Sequence, residues 1–204
     1  MIHVIDYGLG NVQAFLTLYK RLGIEAIRAK TSTDLTSARK IILPGVGAFD
    51  YAISLLNQSG MRPILETLVL QDKVPVLGIC VGMQILASSS DEGQLPGLGW
   101  IAGKVRPFGV NELSSRIPLP HMGWNDVHPN LGHPLFSGLE TDTKFYFLHS
   151  YYFECDQPAH IAATASYGID FSCAVSANNV YGVQFHPEKS HQFGTQLLKN
   201  FAEL

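Results

Sequence analysis

The chain has 204 residues, of which 46% are hydrophobic and 15% are charged, and its formal net charge at pH 7 is -3. A chain of this length buries roughly 70% of the surface that it exposes when unfolded, so it can form a sizeable core. It has no run of lysines or arginines, which argues against a binding surface for nucleic acid or for an anionic membrane. The composition therefore favours a small molecule or a protein as partner, and a single domain.

Cys80, Cys155 and Cys173 form an odd set without a C-x-x-C pair, so the sequence predicts neither a disulfide framework nor a zinc site. The N-terminus lacks a basic region before a long apolar segment, and no apolar run approaches the roughly 18 residues of a membrane span. We therefore expect a protein of the reducing cytoplasm that does not associate with membranes.

Short apolar runs alternate with helical patterns in the first part of the chain. The predicted strands are residues 2–6, 24–29, 40–45 and 74–80. After the first strand comes a helical pattern, with Asn11 as its N-terminal cap and Gly23 at its end. Strands that alternate with helices indicate right-handed βαβ units and a parallel sheet.

From about residue 100 onwards, strand-like runs follow one another closely. They occupy residues 103–108, 145–153, 160–168, 171–177 and 180–185. Asn178 and Asn179 separate the last two runs, where a tight hairpin turn needs left-handed residues, and residues 191–204 have the pattern of a closing helix. The predicted fold class is α/β, an open and mostly parallel sheet flanked by helices, with added antiparallel strands in the second half.

A cysteine stands at the end of one apolar run, in the sequence LGICVGMQ. Ligands of an open parallel sheet bind beyond the carboxyl ends of its strands, so Cys80 is predicted to lie at the rim of the sheet. The good helix formers VGMQILASS follow it, and Gly78 and Gly82 permit a sharp strand-to-helix turn, the thiol analogue of a serine nucleophile elbow. Cys155 and Cys173 lack such glycines, and we interpret them as small core residues.

A nucleophilic cysteine needs a base, because a free thiol with a pKa of about 8.5 is only slightly ionised at pH 7. The sequence GVQFHPEKS places His186 at the end of a predicted strand. Glu188 lies two residues further on, where an extended chain returns to the same side. A carboxylate there could hold one imidazole tautomer and stabilise its charged form. A strand end followed by a solvated carboxylate is the alternative for this pair.

Attack on a carbonyl carbon also needs hydrogen-bond donors for the oxyanion, each of which lowers the barrier by about 3 kcal/mol. The backbone N–H of Val81 is the natural first donor. A second glycine-rich turn, LPGVGAF, is expected at the same rim of the sheet, where the backbone of Val46 and Gly47 would supply the other. The sequence therefore predicts nucleophile, base and donors at one edge.

Two motifs superficially suggest cofactor sites. YGLGN lacks the third glycine of a dinucleotide fingerprint, because Gln13 stands in its place. HPNLGH pairs His128 with His133, but in a loop broken by proline and glycine that does not suit a metal site. Neither motif therefore predicts a cofactor or metal site.

The motifs PGVGAF, GICVGMQ and GVQFHPEKS, in this order, resemble the class I glutamine amidotransferases, whose catalytic triad is Cys-His-Glu. The resemblance implies a flavodoxin-like fold and one glutamine amidotransferase type 1 domain over residues 1–204. It implies Cys80 as nucleophile, His186 as general base and acid, and Glu188 as the residue that orients the imidazole. The implied reaction is hydrolysis of L-glutamine to glutamate and ammonia through a cysteinyl thioester, and the resemblance implies that it requires neither a metal nor an organic cofactor.

By the same resemblance, the substrate glutamine is held by Gly47, Gln84, Ser150 and Tyr151. Gln84 lies four residues after the cysteine, one helical turn on, so it can face the same pocket. The alternative for Gln84 is an ordinary amide on a helix surface.

Four more stretches, DYGLGN, GLGWIAGKV, PHMGWN and FYFLHSYY, resemble the branch of the family that serves histidine biosynthesis. The partner in that branch is a (β/α)₈-barrel cyclase, which forms a heterodimer with the glutaminase and uses its ammonia to make imidazole glycerol phosphate and aminoimidazole carboxamide ribotide. PHMGWN is predicted to be a turn bounded by glycine and proline, and core packing is the competing account of its tryptophan. The expected interface or ammonia-path residues are Met122, Trp124, Asn125, Tyr146 and Lys189.

Two other functions stay open on the sequence alone. One is a glutaminase of another pathway, such as anthranilate or guanylate synthesis, because GICVGMQ does not choose between pathways. The other is a non-catalytic binding protein on the same fold. PHMGWN and LHSYY favour histidine biosynthesis over the first, and the presence of Cys80, His186 and Glu188 argues against the second.

Overall fold

A mixed β-sheet forms the centre of the molecule. The structure is a computed structural model, and it describes residues 1–109 and 117–204. These described residues form thirteen β-strands and five α-helices. The strands are β1 (Ile2–Ile5), β2 (Ala26–Ala29), β3 (Lys40–Gly45), β4 (Val76–Cys80), β5 (Ser89–Ser90), β6 (Gly103–Pro107), β7 (His121–Asp126), β8 (His128–Pro129), β9 (Lys144–His149), β10 (Tyr151–Cys155), β11 (Ile161–Ser166), β12 (Asp170–Ala177) and β13 (Val180–Val183). The helices are α1 (Val12–Arg21), α2 (Phe49–Gln58), α3 (Arg62–Glu66), α4 (Val81–Gln84) and α5 (His191–Glu203).

One half of the sheet consists of parallel strands in the order β2-β1-β3-β4-β13. This flavodoxin-like order places ligand sites beyond the carboxyl ends of the strands. Gly45 of β3 stands opposite Cys80 of β4, and Val183 of β13 stands opposite Ile79, so three strand ends meet at one edge. The predicted α/β fold class is confirmed.

Antiparallel strands continue the sheet beyond β13, as the close spacing of the later runs predicts. Ala177 pairs with Val180 across a tight turn in which Asn178 has a φ of 54°, which confirms the predicted hairpin. The run at 145–153 is not one strand, because it breaks at Ser150. The first piece, β9, pairs with β7 in a separate two-stranded sheet, whereas β10 joins the main sheet.

Helix α1 begins and ends where its sequence signals predict. Asn11 caps it by accepting a hydrogen bond from the backbone N–H of Ala14 at 3.2 Å, and Gly23, with a φ of 70°, follows its last turn. The helix packs on α5, where the Tyr19 hydroxyl donates to the Leu198 carbonyl at 3.2 Å. Within the described ranges, no helix is long and apolar enough to cross a membrane.

The helix predicted over VGMQILASS is wrong in its length, because α4 ends at Gln84. The carbonyl oxygen of Ile85 accepts a hydrogen bond from the N–H of Leu98 at 2.8 Å. The carbonyl oxygen of Leu86 likewise accepts from the N–H of Trp100 at 2.9 Å. These acceptors are therefore taken by a later loop and are not available to a longer helix.

The turn predicted at PHMGWN is also wrong, since His121–Asp126 forms β7 and pairs antiparallel with β9. Its side chains alternate, so that His121 is buried while Met122 and Trp124 are exposed. Gly123 lies within the ladder rather than in a turn. Pairing with a strand further along the chain overrides the local turn preference of this segment.

Two glycines let the backbones of β3, β4 and α4 touch. A Cβ atom at Gly82 would overlap the carbonyl oxygen of Leu43 in β3. A Cβ atom at Gly78 would lie 2.5 Å from the carbonyl oxygen of Gly82, closer than real Cβ atoms come to other atoms. The turn from β4 into α4 therefore requires glycine at both positions.

We predict that Gly82→Ala lowers the free energy of unfolding by about 3 kcal/mol, because the added methyl group meets the β3 backbone. Chemical denaturation measures this change. Gly23→Asn is the matched control, because nothing lies within 4 Å of a Cβ atom at that position and asparagine tolerates its left-handed backbone. The control should change stability by less than about 1 kcal/mol, and equal losses in the two variants would contradict the packing account.

Candidate active site

Cys80 occupies a sharp turn between β4 and α4. Its backbone has a φ of 56° and a ψ of -115°, a conformation that costs a residue with a side chain roughly 1–3 kcal/mol. Strain of this kind is typical of nucleophile elbows, in which the turn raises the reactive atom above the end of the sheet. The residue is 5% exposed and lies at the rim where the sequence predicts it.

His186 and Glu188 lie just beyond the end of β13. The imidazole Nδ1 is 2.9 Å from Glu188 Oε1, and both side chains are 5% exposed. The backbone N–H of His186 donates to the Tyr146 carbonyl at 2.8 Å, and its carbonyl accepts from the Ser190 hydroxyl at 2.6 Å. The imidazole is therefore fixed through the backbone of His186 as well as through its ring, and the alternative of a solvated carboxylate is wrong.

The surroundings of His186 favour its protonated form. Burial lowers the pKa of the imidazole, but interactions with Cys80 and Glu188 outweigh burial and raise the pKa from 6.5 to about 10. With Nδ1–H donated to Glu188, Nε2 is the ring nitrogen left for the interaction with Cys80. Since the folded-state pKa exceeds the unfolded one, protonation stabilises the fold below pH 6.5, and this stabilisation is lost as the pH rises toward about 10.

A cavity of about 330 Å³ opens in front of Cys80 and His186, a size that suits a small metabolite. The Cys80 Sγ lies 3.9 Å from the Leu148 carbonyl oxygen and 3.8 Å from Gln184 Nε2. The lining residues are Val46, Gly47, Cys80, Val81, Gln84, Glu92, Pro120, Leu148, His149, Ser150, Tyr151, His186 and Lys189.

The backbone segments predicted to bind an oxyanion border this cavity. Val81 is the first residue of α4, so its N–H has no partner within the helix. Gly47 has a φ of 88°, which glycine adopts without strain. The adjacent Val46 is 41% exposed and lines the cavity together with Gly47.

Gln84 is 3% exposed, so the alternative of an ordinary helix-surface amide is wrong. Its Nε2 donates to Gln184 Oε1 at 3.0 Å and to the Tyr151 carbonyl at 3.2 Å. Gly47 and Ser150 border the same cavity. The structure therefore brings together all four residues that the sequence predicts to hold glutamine.

Residues 3–204 match the family described as Glutamine amidotransferase class-I. The match covers nearly the whole chain and includes Cys80, His186 and Glu188. The chain belongs to the class I glutamine amidotransferases. The family recognised from the three sequence motifs is confirmed.

Relatives of this amidotransferase match it along its full length. The chain is 64% identical over 204 residues to a Bdellovibrio bacteriovorus protein named imidazole glycerol phosphate synthase subunit HisH, with 100% of each chain covered. A Leptospira interrogans protein of the same name is 50% identical over 204 residues, again with 100% of each covered. Subunit HisH 2 from Pseudomonas aeruginosa is 47% identical with the same coverage.

Solved structures share the fold. A crystal structure described as a glutamine amidotransferase has a TM-score of 0.74 at 20% identity, with 99% of this chain and 97% of that chain covered. The structure of PurLQS from Thermotoga maritima has a TM-score of 0.73 at 16% identity, with the same coverage. At these identities the likeness concerns the fold alone.

The amidotransferase presents an apolar surface on β7 and β9, which we call the outer face and define by Met122, Trp124, Tyr146 and Leu148. These residues pair across the two strands, with Met122 opposite Leu148 and Trp124 opposite Tyr146. Met122 is 64% exposed and Trp124 is 46% exposed. The tryptophan stacks on His191 with ring centroids 5.3 Å apart. Core packing as the account of Trp124 is therefore wrong.

Two further residues predicted for the interface or the ammonia path lie in different surroundings. The Lys189 ammonium is 5.7 Å from the Tyr146 ring centroid, a cation–π arrangement at the wall of the cavity. The side chain of Asn125 turns inward, and its Nδ2 donates to the Ser166 carbonyl at 2.9 Å. Asn125 is therefore not part of the outer face.

Sequence reasoning missed Gln184 and His149 as members of the site. Gln184 is fully buried and precedes His186 by two residues, so the alternation of an extended chain puts both on one side. That signal was present in GVQFHPEKS. His149 lines the cavity because the chain breaks between β9 and β10, and no local pattern announces the break.

The remaining cysteines lie outside the cavity, as the prediction of small core residues requires. Cys173 is fully buried, and burial raises the pKa of its thiol. Cys155 is half-buried, and burial raises the pKa of its thiol to about 11. Among the described residues, no group of three or more histidine, cysteine, aspartate or glutamate side chains is arranged to hold a metal ion.

We predict that Glu188→Gln lowers the pKa of His186, because the carboxylate that stabilises the imidazolium is lost while burial remains. Imidazole chemical shifts followed by NMR between pH 5 and 11 measure the change. Glu203→Gln is the matched control, because it removes an equal charge from an exposed position at the C-terminal helix. An unchanged His186 titration in Glu188→Gln would contradict the assigned cause.

Proposed function

We propose that this chain is the glutaminase subunit of an imidazole glycerol phosphate synthase, acting in the cytoplasm as one glutamine amidotransferase domain over residues 1–204. The observation that carries the proposal is the strained Cys80 elbow beside the buried His186–Glu188 pair in one cavity. Full-length relatives named as subunits of that synthase, at 64% and 50% identity, support this branch over anthranilate or guanylate synthesis.

In the first half-reaction, Cys80 attacks the side-chain amide carbon of L-glutamine. Attack uses the thiolate, the nucleophilic form of cysteine, with the protonated His186 as its neighbour. A C–S bond forms and the carbonyl electrons move to oxygen, where the N–H groups of Val81 and of the Val46–Gly47 turn stabilise the charge. His186 then gives its proton to the leaving nitrogen, the C–N bond breaks, and ammonia leaves a γ-glutamyl thioester.

Water completes the cycle. Neutral His186 takes a proton from water as the water oxygen attacks the thioester carbon, and Glu188 stabilises the imidazolium that forms again. The C–S bond breaks, Cys80 leaves as the thiolate, and glutamate is released. The proton balance closes with these three side chains and water.

The substrate lies against a wall that the protein holds in place. The backbone N–H groups of Gly47, Ser150 and Tyr151 are suited to the charged amino-acid end of glutamine. Gln84 supports this wall from behind, because its amide is bound to the Tyr151 carbonyl and to Gln184. Its contribution in this proposal is to hold the binding surface in its shape.

We predict that Cys80→Ala lowers glutamine-dependent synthesis by the complex about 10⁴-fold or more, because no thioester can form. Ammonia-dependent synthesis by the cyclase should continue at the wild-type rate. Formation of imidazole glycerol phosphate, with glutamine or an ammonium salt as nitrogen source, measures both. Cys155→Ala is the matched control, since that thiol lies outside the cavity.

Loss of both activities in a folded Cys80→Ala complex would count against the proposal. An electrophilic glutamine analogue gives an independent readout, because it should label Cys80 and glutamine should compete with it. Absence of labelling in the presence of the partner and its acceptor substrate would favour a non-catalytic binding protein. Co-purification of a different synthase would favour another pathway.

The partner that we propose is a (β/α)₈-barrel cyclase, bound as a heterodimer with the outer face as part of the contact. Ammonia released into neutral water becomes mostly ammonium, which is not a nucleophile, so a sealed path between the two sites is an advantage. Leu148 belongs both to the outer face and to the cavity wall, and Lys189 borders the cavity beside it. Exposed aromatic and methionine side chains are the anchors that interfaces favour.

We predict that Trp124→Ala weakens binding to the cyclase by about 2 kcal/mol, roughly 30-fold in Kd, because a large anchor at the centre of the outer face is lost. Isothermal titration calorimetry measures the affinity. Leu131→Ala is the matched control, since Leu131 is 98% exposed but lies outside the outer face. Equal weakening in both variants would exclude the outer face as the site of contact.

A further inference from the structure

A hydrogen-bonded chain of polar side chains, buried at its two histidines, runs along the inner face of β7 and β9. His121 stands opposite His149 in the strand register, and its Nδ1 lies 2.9 Å from His149 Nε2. Asn125 Nδ2 lies 3.3 Å from His121 Nε2. At the other end, His149 Nδ1 lies 2.8 Å from the Tyr151 carbonyl oxygen. The chain therefore ends at the backbone that borders the cavity.

The donors and acceptors of this hydrogen-bonded chain can be assigned in only one way. A carbonyl oxygen only accepts, so the proton of His149 is on Nδ1 and its Nε2 is an acceptor in the neutral ring. His121 must then donate from Nδ1 and accept at Nε2 from Asn125. The second Asn125 proton is donated to the Ser166 carbonyl at 2.9 Å, which fixes the amide. Each ring consequently has one defined tautomer.

Both rings are neutral in this arrangement. Burial lowers the pKa of His121 to about 4. Burial also lowers the pKa of His149, to about 3, and the nearby His121 and His186 act in the same direction. A neutral His149 adds no second positive charge next to the His186 imidazolium, so it is compatible with the triad.

The Tyr151 carbonyl is held from two sides. His149 Nδ1 donates to it at 2.8 Å and Gln84 Nε2 donates to it at 3.2 Å, so both of its lone pairs are used. The peptide that joins Tyr151 to Tyr152 is thereby restrained, and with it the backbone of Tyr151 at the cavity wall. The proposed reaction uses the backbone N–H groups of this wall to bind the substrate.

The middle of this hydrogen-bonded chain is fixed by ring stacking. The His121 ring lies between Phe147 and Tyr167, with centroids 4.7 and 4.0 Å away and interplanar angles of 21° and 20°. A phenylalanine at this position would retain the stack while removing the donor to His149. A His121→Phe substitution therefore tests the hydrogen bond to His149 separately from the packing of the ring.

We propose that His149 is a positioning residue for glutamine binding, kept in its Nδ1–H tautomer by His121 and Asn125 so that it holds the Ser150–Tyr151 backbone at the cavity wall. The inference rests on the proposed function, which takes glutamine as the substrate that binds at this wall. His149 acts through the backbone and not on the reacting atoms, so its loss should weaken substrate binding and leave the chemical step intact.

The test is steady-state glutamate release from L-glutamine by the complex of this protein with the cyclase. His149→Phe should raise KM for glutamine roughly tenfold, with kcat within about threefold of wild type, because ground state and transition state lose the same contact. His149→Asn should restore KM to within about threefold, because its Nδ2 can stand where Nδ1 stands and donate to the same carbonyl. Equal KM values for the two variants, or a fall in kcat alone, would overturn the proposal.

His133→Asn is the matched control, because it removes a partly buried histidine whose Nε2 lies 2.9 Å from Ser176 Oγ, outside the cavity. If His149→Phe does not fold, His121→Phe replaces it, with an expected rise in KM of about threefold; an unchanged KM overturns the proposal. Wild-type complex that releases no glutamate would instead reject the proposed function, so the two failures are distinguishable.

Discussion

The turn after Cys80 depends on a backbone contact that leaves no room for a side chain. Gly82 packs against the Leu43 carbonyl of β3, and the parallel pairing of β3 with β4 sets Gly45 opposite the cysteine. This contact determines the geometry of the whole rim, because it places the strained cysteine beside the Val46–Gly47 turn. Strain of roughly 1–3 kcal/mol at one residue persists because buried strands on both sides determine its conformation.

The protonation states of the two histidines at the rim depend on burial and on the groups that each ring contacts. His186 is removed from water, and its ionised form is retained because its interactions with Cys80 and Glu188 outweigh burial. Nearby, His149 is equally removed from water but faces a carbonyl and another neutral ring, so burial prevails and lowers its pKa. Two histidines at one cavity therefore have opposite protonation states, each suited to a different task. In the proposed reaction, His186 acts as a proton donor, whereas His149 supplies a hydrogen bond of fixed direction to the cavity wall.

Features specified by short sequence segments could be predicted from the sequence. The alternation of strands with α1 predicts the parallel half-sheet, Asn11 predicts the cap, and the glycines around Cys80 predict the elbow. Features that depend on hydrogen bonds to backbone distant in the sequence could not be predicted. Helix α4 is short because a later loop takes its carbonyl acceptors, and β7 is a strand because β9 pairs with it. The same dependence explains why His149 was missed, since its position follows from the break between β9 and β10.

The two-stranded sheet of β7 and β9 connects the outer face with the cavity. The Tyr146 carbonyl of β9 accepts the N–H of His186, and the Leu148 carbonyl lies 3.9 Å from the Cys80 sulfur. Because side chains alternate along a strand, the same backbone presents Trp124 to solvent and His121 to the buried chain. A displacement of β9 would therefore act on Cys80, His186 and the cavity wall together. In the proposed heterodimer, a cyclase seated on the outer face contacts the strand whose backbone binds His186 and borders Cys80.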